Sequence, residues 1–171
     1  MKTILVPVDF TITSRNALLY ALFINHHIKA EIIIFHAYNV PAYETDITLE
    51  IAEQSVREEM LNELQEWKID AESRYPEMKI STHLSDALTR EEIIDEELNL
   101  NADLIVIGTQ GTDGLAGVFL IDTVAAAEHT RCPVLIIPPG VILGNLQKIV
   151  FATNFEEDDI QNINTIIEVA R

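Results

Sequence analysis

The chain is poor in several residue types, and each scarcity removes a class of explanation. Of its 171 residues only Cys132 is a cysteine, so an internal disulfide and a cysteine metal site are both excluded. Basic residues are few: 11 Lys and Arg stand against 28 Asp and Glu, a net charge of −17 with histidine neutral. Phosphate backbones are bound by lysines and arginines that displace counterions, so no nucleic-acid partner is expected. An anionic membrane surface would repel the same acidic exterior. No apolar run approaches the roughly 18 residues that a membrane-spanning helix needs. Met1-Lys2-Thr3 leads straight into an apolar stretch, without the segments of a secretory leader, and a reducing cytoplasm is the expected compartment. A Walker A loop and a G-x-G-x-x-G fingerprint are both missing.

What is present is concentrated between Ala102 and Pro138. Leu104, Ile105, Val106 and Ile107 run without alternation into Gly108, the pattern of a parallel strand buried on both faces. Four of the six glycines follow at every third position, Gly108, Gly111, Gly114 and Gly117, and a loop so built lets a ligand approach the backbone closely. A helix from about Asp122 to Thr130 and a second apolar strand, Val134 to Ile137, complete a βαβ unit.

Apolar strands are also expected at Lys2 to Val8, Glu31 to Tyr38 and Met78 to Leu84, the last alternating as an edge strand does. Thr13 or Ser14 is the expected cap of a helix running to about Ile28. A long amphipathic helix from Ile47 to about Arg74 carries Ile51, Val56, Met60, Leu64, Trp67 and Ala71 as one apolar stripe. Thr89-Arg90-Glu91-Glu92 reads as a capping box, opening a helix through Leu98 whose acidic residues form a solvated surface. His36 and His83 lie near the ends of neighbouring strands, but no third ligand is spaced for a metal, and they read as neutral, hydrogen-bonded histidines. Asp9 closes the first strand at its carboxyl end, where open α/β sheets bind ligands.

The residues from Gly108 to Val134 resemble the universal stress protein family, whose pocket carries G-x-x-G-x9-G-[ST]. Gly108 and Gly111 match its first two glycines, and Val6-Pro7-Val8-Asp9-Phe10 and Cys132-Pro133-Val134 are similar to the family as well. The resemblance covers about residues 2–138. It implies an adenine-nucleotide alpha-hydrolase-like fold: an α/β, doubly wound, open sheet of five parallel strands in the order 3-2-1-4-5. It also implies that Asp9 contacts the adenosine side of a nucleotide, that Ala37 offers its backbone to adenine, and that Gly108 and Gly111 line the phosphate loop.

The end of the motif departs from the family. Where the pattern asks for Gly and then Ser or Thr, the chain has Ile121 and Asp122. Asp122 is a good N-cap that would satisfy the helix N–H groups from within, and its charge stands where a phosphate belongs. Two like charges about 4 Å apart repel by roughly 4 kcal/mol at an effective dielectric near 20, more than the ~0.3–2 kcal/mol a helix terminus contributes. Ser85-Asp86-Ala87 adds a second carboxylate where the family has a glycine-bearing turn. The expectation is a plugged pocket with no cofactor, in a non-catalytic binding or regulatory module of the stress response. No nucleophile stands with a base. The alternative is a slowly hydrolysing ATP binder, in which the Thr123 hydroxyl joins Asp9 and the glycines and a magnesium ion bridges Asp122 to the phosphates.

The tail repeats the beginning. Ile149-Val150-Phe151-Ala152-Thr153-Asn154-Phe155 parallels Ile4 to Phe10. The expected organisation is therefore a domain over 1–140, a linker over 141–147, and the first strand and helix of a truncated tandem repeat over 148–171. In the family the last strand commonly meets its counterpart, so a homodimer or an intramolecular tandem partner is expected at Val134 to Ile137.

Overall fold

The computed structural model describes residues 1–38, 48–86, 99–109, 132–141, 143–144, 147–153 and 159–169. Five strands form one parallel sheet, β1 (Thr3–Pro7), β2 (Glu31–Ala37), β3 (Ile80–Ser85), β4 (Leu104–Gly108) and β5 (Val134–Ile137), in the order β3-β2-β1-β4-β5. The strand order matches the expected one. Around the sheet lie α1 (Ile12–Ile28), α2 (Thr48–Arg74) and α3 (Asp159–Val169).

β1 is central because it is apolar on both faces. Ile4, Leu5 and Val6 are fully buried between β2 and β4. Its start is fixed by Asp103, whose carboxylate accepts the main-chain N–H groups of Lys2 (2.6 Å) and Thr3 (3.0 Å). One face of the sheet buries Ile4, Val6, Ile32, Ile34, Leu104 and Val106 under α1 and the Leu64 and Ala71 side of α2. The other face buries Leu5, Phe35, Ala37, Ile105 and Ile107. Of the expected α2 stripe, Leu64 and Ala71 are buried and Trp67 packs against them, while the side chain of Ile51 lies outside the described residues.

α1 begins earlier than expected. Its N-cap is Thr11, whose hydroxyl oxygen accepts the N–H of Ser14 at 3.3 Å, and Thr13 and Ser14 are buried inside the first turn. Its other end is closed by Lys29 in the left-handed conformation, with φ of 59° and its N–H donated to the Asn25 carbonyl. The buried Asn25 amide binds both the N–H and the carbonyl of Ala30 (2.8 and 2.9 Å), turning the chain into β2.

β5 is the sheet's last strand, and Ile136 on it is 44% exposed. Residues 147–153 make no strand in this sheet, and Val150 is 81% exposed. The expected helices over 89–98 and 122–130 and the residues Asn154 and Phe155 lie outside the described residues. Among the described residues no helix is long and apolar enough to cross a membrane.

Candidate functional site

The carboxyl ends of β1, β2 and β4 bring Asp9, Ala37 and Gly108 to one edge of the sheet, as a doubly wound fold requires. Asp9 is fixed by the residues that start α1. Its Oδ1 accepts the N–H of Thr11 at 3.1 Å and the Thr11 hydroxyl at 2.5 Å, while its own N–H is donated to the Ser14 hydroxyl oxygen at 3.3 Å. This is an aspartate turn whose side chain imitates the backbone. Burial pushes the Asp9 carboxyl up. Hydrogen bonds from the Thr11 and Ser14 hydroxyls and from the Thr11 and Asp9 N–H groups outweigh it and hold the group below its ordinary value of 3.8. Asp9 is therefore a fixed, ionised carboxylate at the mouth of the sheet.

Ala37 is buried, and its neighbour Tyr38 continues the edge by donating its N–H to the Ser85 carbonyl at 3.0 Å. Asp86, which follows, is exposed on the same rim. Gly108 has a packing role that its place in the motif does not reveal. A Cβ built there would lie 2.5 Å from the Thr13 carbonyl oxygen and 2.8 Å from its carbon. Only glycine lets β4 end against the first turn of α1. Gly111, Ile121, Asp122 and Thr123 lie outside the described residues.

Three further residues complete this edge, of which the sequence points only to His36, as a hydrogen-bonded histidine near its strand end. Thr11 caps α1 and holds Asp9 with one side chain; the D-x-T spacing after a strand was the available signal. Phe10 has φ of 61°. His36 is buried, with its Nδ1 donating to the Val8 carbonyl at 2.7 Å and its ring 4.4 Å from that of Phe10. His83 instead stacks on Phe35 at 5.6 Å, and among the described residues no group of three or more His, Cys, Asp or Glu is placed to hold a metal. A groove of about 240 Å³ separates α1 from α2, lined by Leu18, Leu22 and Trp67 and crossed by the ion pair of Arg15 with Asp70 at 3.1 Å, while Arg74 pairs with the same carboxylate along α2. What the edge offers chemically is an ionised acceptor, buried backbone and a close-packed glycine.

A sequence model described as the universal stress protein family matches residues 1–138. A universal stress protein of Methanocaldococcus jannaschii is 28% identical over 141 residues, covering 80% of this chain and 81% of that protein. Among solved structures, a universal stress family protein of Burkholderia pseudomallei superposes with a TM-score of 0.58 at 25% identity, over 80% of this chain and 96% of that one. A family protein of Arabidopsis thaliana with AMP bound gives a TM-score of 0.57 over 81% and 92%. At 17% identity that likeness shows the fold alone.

Proposed function

The chain belongs to the universal stress protein family, and on that premise we propose that it is a non-catalytic binding module of the stress response whose nucleotide pocket is blocked at its phosphate end. The observation that carries this reading is Ile121-Asp122 standing where the family motif has Gly and then Ser or Thr. In sequence, the helix expected to receive phosphates opens on Asp122, a residue type that caps a helix from within, and Ile121 puts a branched side chain in the place of the glycine. The nucleoside end keeps its acceptor, because Asp9 is fixed and ionised by Thr11 and Ser14. The electronegative rim that Asp9 and Asp86 create opposes a free polyphosphate. The module then acts through partners rather than through turnover, in the cytoplasm.

Calorimetry with ATP, with and without magnesium, tests this on the native chain and on Ile121→Gly/Asp122→Ser. The native chain is expected to give no heat and the double variant to bind. Micromolar binding by the native chain would overturn the blocked pocket. A second reading is favoured by the AMP held in the Arabidopsis relative: an ATP binder in which magnesium bridges Asp122 to the phosphates, with Thr123 contributing its hydroxyl. Binding by the native chain only when magnesium is present would select it.

Residues 148–171 are read as the opening segment of a second repeat after a 141–147 linker, its first part matching a strand in sequence while making none in this sheet. The support is the match of Ile149–Phe155 to Ile4–Phe10 and a helix, α3, placed after it as α1 follows β1. The β5 edge, with Ile136 exposed, is the surface for a second copy or for such a repeat. Light scattering at tens of micromolar is expected to give a dimer, and a monomer would count against it.

A further inference from the structure

Among the described residues His36 is the buried histidine, 8% exposed, and it grips the turn after β1 at two points. Its Nδ1 lies 2.7 Å from the Val8 carbonyl oxygen. Its ring packs on Phe10 with centroids 4.4 Å apart. Asp9 lies between those two residues in the chain. A carbonyl oxygen only accepts, so in the neutral imidazole the proton must be on Nδ1. Phe10 holds a left-handed φ of 61°, a conformation that a bulky residue keeps only where its surroundings impose it. Those surroundings are the His36 ring and, edge-on at 5.6 Å, Trp67 of α2.

We propose that His36 is a positioning residue: by bonding Val8 and packing on Phe10, it sets the turn that presents the Asp9 carboxylate at the carboxyl edge of the sheet. The charged groups that face it are Asp9 from the turn and Glu63 from α2. Burial holds the imidazole below its ordinary value of 6.5, against the upward pull of the Val8 carbonyl and of those two carboxylates. The turn is thus held by a neutral ring at neutral pH, and protonation brings a buried positive charge beside Asp9. Trp67 is the only tryptophan, and Phe10 contacts both it and His36, so its emission reports on the whole row.

This role rests on the reading of Asp9 as a ligand contact only in the last arm of its test. Nitrogen-resolved NMR of the native protein at pH 8 is expected to show His36 as the Nδ1–H tautomer, and the Nε2–H form would overturn the assignment. His36→Leu removes the donor, whereas His36→Asn returns an N–H close to the Nδ1 position. Exchange of the Thr11 amide, which Asp9 Oδ1 holds at 3.1 Å, is expected to quicken about tenfold in the Leu variant and to recover in the Asn variant, with Val106 in β4 unchanged. Trp67 emission is expected to titrate below pH 6.5 in the native protein and to lose that step in both variants. Unchanged Thr11 exchange in His36→Leu would sink the idea. If that variant does not fold, the tautomer and the native emission titration still decide it. In the Ile121→Gly/Asp122→Ser background, His36→Leu is expected to weaken ATP binding about tenfold and His36→Asn to restore it. If that background binds no ATP while Thr11 exchange still responds, the pocket reading falls and the positioning role stands.

Discussion

Gly108 and Thr13 meet where β4 ends against α1, and the contact is between backbone atoms, which cannot rotate away. A methyl group 2.5 Å from the Thr13 carbonyl oxygen forces α1 or β4 to shift. Gly108→Ala is therefore expected to cost about 1–3 kcal/mol, the usual range for overpacking a filled site, measured by urea unfolding with no ligand present. An unchanged midpoint would mean that the first turn of α1 yields more easily than its buried Thr13 and Ser14 imply. Asp9 shows the complementary economy: one threonine side chain orders a carboxylate and starts a helix.

Among the elements, α2 is long and mostly wet, and its hold on the sheet depends on a few positions. Leu64 is fully buried against the same face as Ile32 and Ile34. Leu64→Ala is expected to lose about 2–5 kcal/mol, transfer and cavity costs together, seen as a lower unfolding midpoint; Leu61, 37% exposed one turn away, provides the control with a much smaller loss. The strands and their carboxyl ends were legible because uninterrupted apolar runs such as Leu104 to Ile107 admit few other interpretations. The start of α1 was not. Thr11, Thr13 and Ser14 all have cap-forming hydroxyls, and the choice among them is made by Asp9, whose carboxylate orders Thr11 first. Of the edge residues, Asp9 and Ala37 stand at the strand ends where the motif put them. The packing role of Gly108 and the grip of His36 stayed hidden because each depends on a partner far away in the chain, Thr13 and Val8.

For the whole molecule, acid acts in two windows. The His36 imidazole takes its proton at lower pH in the folded protein than in the unfolded chain, because burial outweighs the Val8 carbonyl, Asp9 and Glu63. Stability is then complete above about pH 6.5 and declines as the pH falls below it. Asp103, held down by the N–H of Lys2, and Asp9, held down by hydroxyls and N–H groups despite burial, bind protons less readily when folded. Their contribution is present above about pH 3.8 and is lost as the pH falls further. Unfolding midpoints measured from pH 8 to pH 3 are expected to show both declines, and His36→Asn to remove the first. A single decline near pH 4 in the native protein would contradict the buried neutral histidine.

The strand order β3-β2-β1-β4-β5 also bears on how the protein is made. β1 leaves the ribosome first, yet it needs a neighbour on each side, and the second, β4, begins only at Leu104. Synthesis proceeds at about 5–20 residues per second, so for several seconds after β2 has emerged the nascent chain carries Ile4, Leu5 and Val6 with one edge open. A chaperone that shields such an edge would have to stay until Gly108 is clear of the exit tunnel.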